Sequence, residues 1–139
     1  MSVRAAHWRV DHVAIVVADL EAAVSLYTQT FGMPLLYRET IAGQGVEAVG
    51  IAAGDSAIEL LRPLDETSAI ARFRADADTK LHHVAYRVSH IEAELARLSA
   101  AGVRLIDVVP RRGANGNVVA FLHPKSTAGV LTELCERRL

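Results

Sequence analysis

Two histidines and two glutamates occupy corresponding places in a sequence that repeats itself. His12 opens the stretch HVAIVVADLEA, and His83 opens a second stretch, HVAYRVSHIEA, that matches the first at more than half of its positions. Each copy is followed by a glutamate in an otherwise apolar run, Glu59 after the first and Glu133 after the second. One histidine and one glutamate per half indicate a metal site, because neutral imidazoles and carboxylates bind borderline divalent ions.

The carboxylates strengthen this interpretation. A glutamate flanked by Ile58 and Leu60 is seldom buried unless it is paired or binds a metal. The alternative is that both glutamates lie on a solvated sheet face, which strand alternation permits. The histidines also have an alternative, since a single histidine usually packs or forms hydrogen bonds without binding a metal. The predicted ligands are His12, Glu59, His83 and Glu133.

This ligand set suits a divalent ion. Co²⁺ is the favoured ion, and Zn²⁺, Ni²⁺ and Mn²⁺ also fit two imidazoles and two carboxylates. Four protein ligands leave two positions of an octahedral ion open for two oxygens of a substrate. Such an ion acts as a Lewis acid that stabilises an enolate, which is a catalytic and not a structural function.

Strand parity separates two adjacent histidines. Because side chains alternate along a strand, His82 and His83 point to opposite faces, and only His83 aligns with His12 in the repeat. We therefore predict His83 as the ligand. Ala14 and Ala85 share the face of the neighbouring histidine in each copy, and their small side chains leave room for a ligand.

The repeat also predicts the elements that position these residues. In each half, a β-branched apolar run precedes a helix and three further strand-like runs, so the expected order is β-α-β-β-β twice. Asp19 is the expected N-cap of the first helix, and Gly32 ends it. The predicted strands are 10–17, 35–41, 46–53 and 57–61, then 81–88, 103–109, 117–122 and 130–135, and the other predicted helices are 68–74 and 91–101.

These elements predict an α+β fold. A single βαβββ unit cannot cover both faces of its sheet, so we expect two tandem modules to form one curved mixed sheet around a metal-binding cleft. The expected single domain of 139 residues has a first module at about 10–63, a connector at about 64–79 and a second module at about 81–136.

Composition excludes several classes of function. A hydrophobic fraction of 51% is sufficient for a buried core, and a net charge of −1 leaves no basic surface for nucleic acid or an anionic membrane. No apolar run approaches the roughly 18 to 20 residues of a membrane span, and the N-terminus does not resemble a signal peptide. The single cysteine, Cys135, excludes an internal disulfide, so we expect it in the core of a cytoplasmic protein.

In its repeat and in the four predicted ligands, the chain resembles the vicinal oxygen chelate superfamily, which includes glyoxalase I, extradiol dioxygenases and antibiotic-resistance proteins. Within that superfamily, its local motifs are most similar to the methylmalonyl-CoA epimerase family. The resemblance covers nearly all of the chain, from Val10 to Cys135. The matching stretches are QGV at 44–46, IELLRPL at 58–64, LHHVAY at 81–86, GVRLID at 102–107, FLHPKS at 121–126 and GVLTEL at 129–134.

The resemblance implies that the chain interconverts the two C2 epimers of methylmalonyl-CoA. Removing the C2 proton leaves an enolate, which positive charge stabilises. The resemblance also implies that Glu133 ligates the metal and transfers a proton on one face of C2. The carboxylate proposed for the other face in some members falls on Ala48, so Glu47 is a candidate only if a bulge turns it toward the site. A bound water or the carboxylate of a second ligand is the alternative.

Two other functions are alternatives for the same residues. A glyoxalase I type lactoylglutathione lyase uses the same ligand set and enolate chemistry, although the HPKS and IELLRPL stretches favour the epimerase. A non-enzymatic small-molecule binding protein of the resistance type does not need all four ligands. An extradiol dioxygenase fits less well, because its iron usually has three protein ligands. The expected partners are a small-molecule acyl-CoA and a second copy of the chain in a homodimer.

Overall fold

The computed structural model of the protein describes residues 7–74 and 79–138. Within these residues it has three α-helices and eight strands. The helices are α1 (Leu20–Ser25), α2 (Ala69–Arg74) and α3 (Ile91–Ala100). The strands are β1 (Arg9–Val17), β2 (Leu35–Ile41), β3 (Val46–Ala53), β4 (Ser56–Pro63), β5 (Thr79–Arg87), β6 (Arg111–Arg112), β7 (Val118–Leu122) and β8 (Thr132–Glu136).

The chain forms two compact units. The first unit is His12–His83, and the second combines the described parts of Met1–Asp11 and Val84–Leu139. In the first unit, β1 pairs in parallel with β4, and β4, β3 and β2 pair antiparallel in that order. In the second unit, β5 pairs in parallel with β8, and β8, β7 and β6 pair antiparallel. The α+β class and the repeated β-α-β-β-β order are therefore confirmed.

The unit boundaries differ from the predicted module boundaries. Helix α2, which the sequence analysis assigned to a connector, belongs to the first unit, and so does β5 as far as His83. The buried side chain of α2, Ile70, belongs to the same apolar cluster as Ala14 and Val16 of β1. The single-domain assignment itself stays a prediction.

Helix α1 begins where the sequence predicts, and the helical segment that it opens ends just before Gly32, as predicted. The Asp19 side chain accepts a hydrogen bond of 3.0 Å from the backbone N–H of Ala22, which satisfies one of the free donors of the first turn. The helix continues through a π-helical turn over Leu26–Thr30. Gly32 follows with a φ of 73°, a left-handed conformation that glycine adopts without a steric penalty.

The strands of the first unit have two different faces. One face carries His12, Ala14 and Val16 of β1, and we call it the site face. The opposite face is covered by α1, and we call it the helix face. The apolar residues of the site face include Ala14, Val16, Val46, Ala48 and Leu61, with Tyr37 packed against them. Those of the helix face include Val17, Leu20, Val49, Ile51 and Leu60.

The predicted strand at 103–109 is wrong. It makes only one isolated bridge, from Leu105. The N–H of Asp107 donates to the carbonyl oxygen of Phe121 at 3.1 Å, and the Asp107 carboxylate accepts the N–H of Phe121 at 2.8 Å. The carboxylate thus replaces a main-chain acceptor and ends the ladder, and Pro110 has no N–H with which to resume it. Pairing begins again only in the short strand β6.

The second unit has its own apolar core, formed by Val88, Ile91, Leu95, Ala120, Leu122 and Leu134. Cys135 is 1% exposed and is not in a disulfide, which confirms its assignment to the core. Over residues 7–74 and 79–138, no helix combines the length and the apolar character needed to cross a membrane.

Candidate metal centre

Three of the four predicted ligands lie together in the first unit. His12 of β1, Glu59 of β4 and His83 of β5 each offer one ligand atom within 4.8 Å of the others. All three are buried, with exposed fractions of 6%, 6% and 3%. The alternative of a solvated sheet face is therefore wrong for Glu59.

The distances among these atoms fit a single ion. Nε2 of His12 lies 3.3 Å from Nε2 of His83 and 3.8 Å from Oε1 of Glu59. Two nitrogens that are each about 2.1 Å from one ion lie about 3.0 Å apart at a right angle and about 3.4 Å apart at a tetrahedral angle. The two imidazoles therefore have the spacing of neighbouring ligands in either geometry.

Strand register explains why His12 and Glu59 meet. Ala14 lies opposite Glu59 in the parallel pair of β1 and β4, and His12 precedes Ala14 by two residues on the same face. His12 and Glu59 are thus diagonal neighbours, which long side chains can bridge. Ala14 is fully buried, and its small side chain leaves space beside both ligands.

The second unit repeats this register. Ala85 lies opposite Glu133 in the parallel pair of β5 and β8, and His83 precedes Ala85 by two residues. Glu133 is 3% exposed, so it too is not on a solvated face. Glu133 therefore occupies the strand position that corresponds to Glu59. Its assignment as the fourth ligand stays a prediction.

Burial keeps the His83 imidazole in the form that binds metals. Desolvation, together with the nearby His12 and His82, holds the pKa of His83 well below its usual value. The imidazole is consequently neutral at neutral pH, with a lone pair on one of its nitrogens. A neutral imidazole is the form in which histidine coordinates a metal ion.

His82 has a contact that the parity rule does not show. The structure brings His83 and not His82 to His12, as predicted, but Nδ1 of His82 lies 2.6 Å from Nδ1 of His83. The His82 ring also packs edge-on against Phe73, with ring centres 4.7 Å apart, and burial lowers the pKa of His82 to about 4. A His83 that presents the Nε2 lone pair to an ion carries its proton on Nδ1 and donates it to His82.

Tyr37 contacts a predicted ligand and was not among the residues predicted from the sequence. Its hydroxyl donates a hydrogen bond of 2.7 Å to Oε2 of Glu59. One signal for this contact was present in the sequence, because Gly50 interrupts the apolar strand β3. A glycine inside a strand often marks a place where another group approaches the backbone closely.

The structure does not bring Glu47 to the other candidates. Glu47 lies on the helix face, where its carboxylate accepts hydrogen bonds of 2.8 Å from Arg38 and 2.9 Å from Arg62. These bonds, first from Arg38 and then from Arg62, hold the pKa of Glu47 below its usual value. The pairing of β3 with β4 has no register shift from Val46 to Ala53, so the bulge that Glu47 needs is absent from this pair. The observed register therefore does not meet the condition on which Glu47 was a candidate for the second base.

Comparison with known proteins identifies similar sequences. The model of the Glyoxalase/Bleomycin resistance protein/Dioxygenase superfamily matches residues 11–121. An ethylmalonyl-CoA/methylmalonyl-CoA epimerase of Cereibacter sphaeroides is 41% identical over 128 residues, which cover 91% of this chain and 96% of the relative.

Solved structures give the same result. The crystal structure of a methylmalonyl-CoA epimerase from Mycobacterium tuberculosis has a TM-score of 0.89 and 39% identity, over 94% of this chain and 88% of the other. A methylmalonyl-CoA epimerase in complex with methylmalonyl-CoA and NH4+ has a TM-score of 0.87 and 36% identity, over 92% and 93% of the two chains. The similarity therefore extends over nearly the whole chain, both in sequence and in structure.

Proposed function

The chain belongs to the glyoxalase/bleomycin resistance protein/dioxygenase superfamily, and from this membership we propose that it is an epimerase that interconverts the two C2 epimers of methylmalonyl-CoA. The observation that carries the proposal is the buried group of His12, Glu59 and His83, in a chain whose relatives are named as epimerases of this substrate. A metal-assisted enolate reaction is the chemistry that such a donor group supports.

The reaction is a proton exchange at one carbon. A base removes the C2 proton, and the electrons of the broken C–H bond form an enolate with the thioester carbonyl. A proton returned to the opposite face of C2 gives the other epimer, and one returned to the same face restores the substrate. The divalent ion, when bound, supplies positive charge to the enolate oxygen.

His12, Glu59 and His83 hold the ion in this proposal, and Glu133 is the fourth ligand. Glu133 also removes or returns the proton on one face of C2. Its burial and its register with Ala85, which matches the register of Glu59 with Ala14, support this assignment. A buried carboxylate is suited to proton transfer at C2, because a base that is shielded from water exchanges its proton with the adjacent substrate more readily than with solvent.

Glu39 is our candidate for the proton transfer on the other face of C2. It lies opposite Ala48 in the pairing of β2 with β3, on the site face, and it is partly buried. Ala48 occupies the position to which the family resemblance assigns this carboxylate, and its small side chain leaves room for one from the adjacent strand. Glu39 therefore replaces Glu47 as the predicted second base.

Solvent exchange separates the roles of the two bases. We would incubate each pure epimer of methylmalonyl-CoA separately in deuterium oxide and follow both deuterium at C2 and the appearance of the other epimer. We expect Glu39→Gln to exchange deuterium only into the epimer whose C2 proton faces Glu133, because that base still acts, while the rate of inversion falls by about 100-fold or more. Equal inversion by Glu39→Gln and the wild type would remove Glu39 from the mechanism.

The metal requirement is tested with the same assay. Purified protein is compared as isolated, after removal of metals with a chelator, and after addition of Co²⁺. We expect exchange at C2 to disappear with the metal and to return with Co²⁺. If metal-loaded protein gives no exchange at C2 above background, the epimerase proposal is wrong. The next substrate to test would then be a glutathione hemithioacetal, the substrate of a glyoxalase I type lyase.

Several finer points are part of the proposal. Co²⁺ remains the favoured ion, and Zn²⁺, Ni²⁺ and Mn²⁺ are the other ions for the metal-addition assay. Ethylmalonyl-CoA is a second test substrate, since one methylene changes binding by only about 1 to 3 kcal/mol. We also propose that the protein is a homodimer in the cytoplasm. Light scattering of the purified protein gives its molar mass and so tests the dimer.

A further inference from the structure

The contact between Tyr37 and Glu59 distinguishes the two oxygens of a predicted metal ligand. We propose that Tyr37 is a positioning residue that holds Oε2 of Glu59 and so leaves only Oε1 to bind the ion. The proposal rests on the metal-assisted function proposed above. It assigns a role to a residue that is not itself a ligand.

The two carboxylate oxygens have different neighbours. Oε2 accepts the hydrogen bond of 2.7 Å from the Tyr37 hydroxyl. Oε1 is the oxygen that lies 3.8 Å from Nε2 of His12, on the side of the predicted ligands. A hydrogen bond from a hydroxyl to an ionised carboxylate is stronger than one between neutral groups, so this contact fixes the rotation of the Glu59 side chain.

A cross-strand row of four residues makes the contact possible. Tyr37 of β2 lies opposite Gly50 of β3, Gly50 lies opposite Glu59 of β4, and Glu59 lies opposite Ala14 of β1. Tyr37 and Glu59 are therefore separated by one whole strand. The Tyr37 ring crosses that strand over Gly50, where an added Cβ would lie 2.1 Å from a ring carbon. No other residue type leaves this path open.

A β-bulge gives Tyr37 its direction. Leu35 lies opposite Ile51, whereas Tyr37 lies opposite Gly50, so Leu36 is an extra residue in β2. With Leu35 in the same place and regular pairing, Tyr37 would instead oppose Val49 and point to the helix face. The bulge, the glycine and the tyrosine therefore combine to produce a single hydrogen bond to a buried carboxylate.

This arrangement limits how Glu59 binds an ion. A carboxylate can bind through one oxygen or through both, and binding through both occupies an additional coordination position. Because Tyr37 holds Oε2, Glu59 offers one oxygen, and the position it does not fill stays open for a substrate oxygen. Removing a group that hydrogen-bonds to a metal ligand in this way typically lowers metal affinity or activity by about 10- to 100-fold.

Tyr37→Phe tests the proposal, since it removes the hydroxyl and keeps the ring over Gly50. The affinity of the metal-free protein for Co²⁺ is measured by competition with a chromogenic chelator, and the visible absorption of the Co²⁺ form reports the coordination number. We expect the affinity to fall by about 10- to 100-fold and the absorption to change. Tyr27→Phe is the matched control, because Tyr27 packs on the helix face, and we expect it to behave as the wild type.

A second variant covers the outcome in which Tyr37→Phe does not fold. Gly50→Ala retains the hydroxyl but displaces the ring that carries it, so we expect the same loss of Co²⁺ affinity. If both variants bind Co²⁺ with wild-type affinity and an unchanged absorption spectrum, Tyr37 does not position Glu59. If His83→Ala also binds Co²⁺ as tightly as the wild type, the metal site itself is wrong, so the two failures are distinguishable.

Discussion

At the scale of single residues, two adjacent histidines have different roles. His83 presents Nε2 to His12, whereas Nδ1 of His82 contacts Nδ1, the other nitrogen of the His83 ring. We expect His83→Ala to lose the bound ion, and His82→Ala to lose about 10- to 100-fold in Co²⁺ affinity, because His83 then lacks the acceptor that orients it. Chelator competition with the metal-free variants measures both values.

Two further substitutions separate the hydrogen bond of His82 from its packing. His82→Asn places a side-chain amide near the position of Nδ1, so we expect it to recover part of the affinity. His82→Phe keeps an aromatic ring against Phe73 but has no nitrogen, and we expect no recovery. Wild-type affinity in His82→Phe would show that only packing matters at this position.

Residue types and their spacing predicted much of the site, and they failed where a contact depends on the backbone. His12, Glu59 and His83 were predicted from the repeat. Both copies place a histidine and a glutamate at corresponding strand positions, and this correspondence is visible in the sequence. Tyr37 was not predicted, since the strand-like sequence at 35–41 gives no indication of the bulge that turns this side chain toward the site.

At the scale of strands, Gly50 is the position at which a single methyl group has the largest expected effect. A Cβ at Gly50 overlaps the Tyr37 ring, and such overpacking typically costs about 1 to 3 kcal/mol. We expect Gly50→Ala to lower the thermal midpoint, and Tyr37→Ala to remove this sensitivity, since no ring then lies over the new methyl group. Thermal unfolding of the two single variants and the double variant gives the coupling energy. Additive effects would contradict the observed contact.

Glu47 joins three elements on the helix face. It pairs with Arg38 of β2 and Arg62 of β4, and Arg38 also pairs with Glu21 of α1. Because the pKa of Glu47 in the folded protein is below its usual value of 4.5, its contribution to stability is present above that pH and is lost as the pH falls through the lowered pKa. We expect the difference in thermal midpoint between the wild type and Glu47→Gln to be largest at neutral pH and to shrink in acid.

Salt provides a control for this prediction. The side chains of Glu47, Arg38 and Arg62 are partly exposed, so added salt screens the attraction between them. Salt should therefore also reduce the difference in thermal midpoint between the wild type and Glu47→Gln. A difference that is independent of both pH and salt would indicate a packing effect. A large loss of inversion with retained C2 exchange in a folded Glu47→Gln variant at neutral pH would return Glu47 to the site as the second base.

Element prediction succeeded and failed for identifiable reasons. Strands β2 and β3 have the predicted bounds, because turn residues flank each strand-like run. The run at 103–109 is equally apolar at its ends but contains Asp107 and precedes Pro110, and both residues compete with strand pairing. Hydrophobicity alone therefore predicts a strand here, whereas the Asp107 carboxylate, which accepts a backbone N–H in place of a main-chain carbonyl, indicates that regular pairing stops before Pro110.

At the scale of the whole molecule, metal binding should stabilise the native state. An ion that binds only the folded chain adds about 2.7 kcal/mol when it is present at 100 times its dissociation constant. We expect the thermal midpoint of the metal-free protein to rise by about 5 to 10 °C in saturating Co²⁺. His83→Ala should show no such rise, and an equal rise in that variant would place the bound ion elsewhere.

The bulge at Leu36 also bears on how the length of this chain can vary in evolution. Leu36 is 52% exposed and opposes no residue of its own in β3, so its deletion would leave Leu35 opposite Ile51 and Tyr37 opposite Gly50. A deletion of one residue anywhere from Tyr37 to Ile41 would instead shift the pairing register of part of β2, so that the side chains of that part would point to the opposite face of the sheet. Relatives one residue shorter at Leu36 can therefore keep the hydroxyl contact, whereas the same gap a few positions later would remove it.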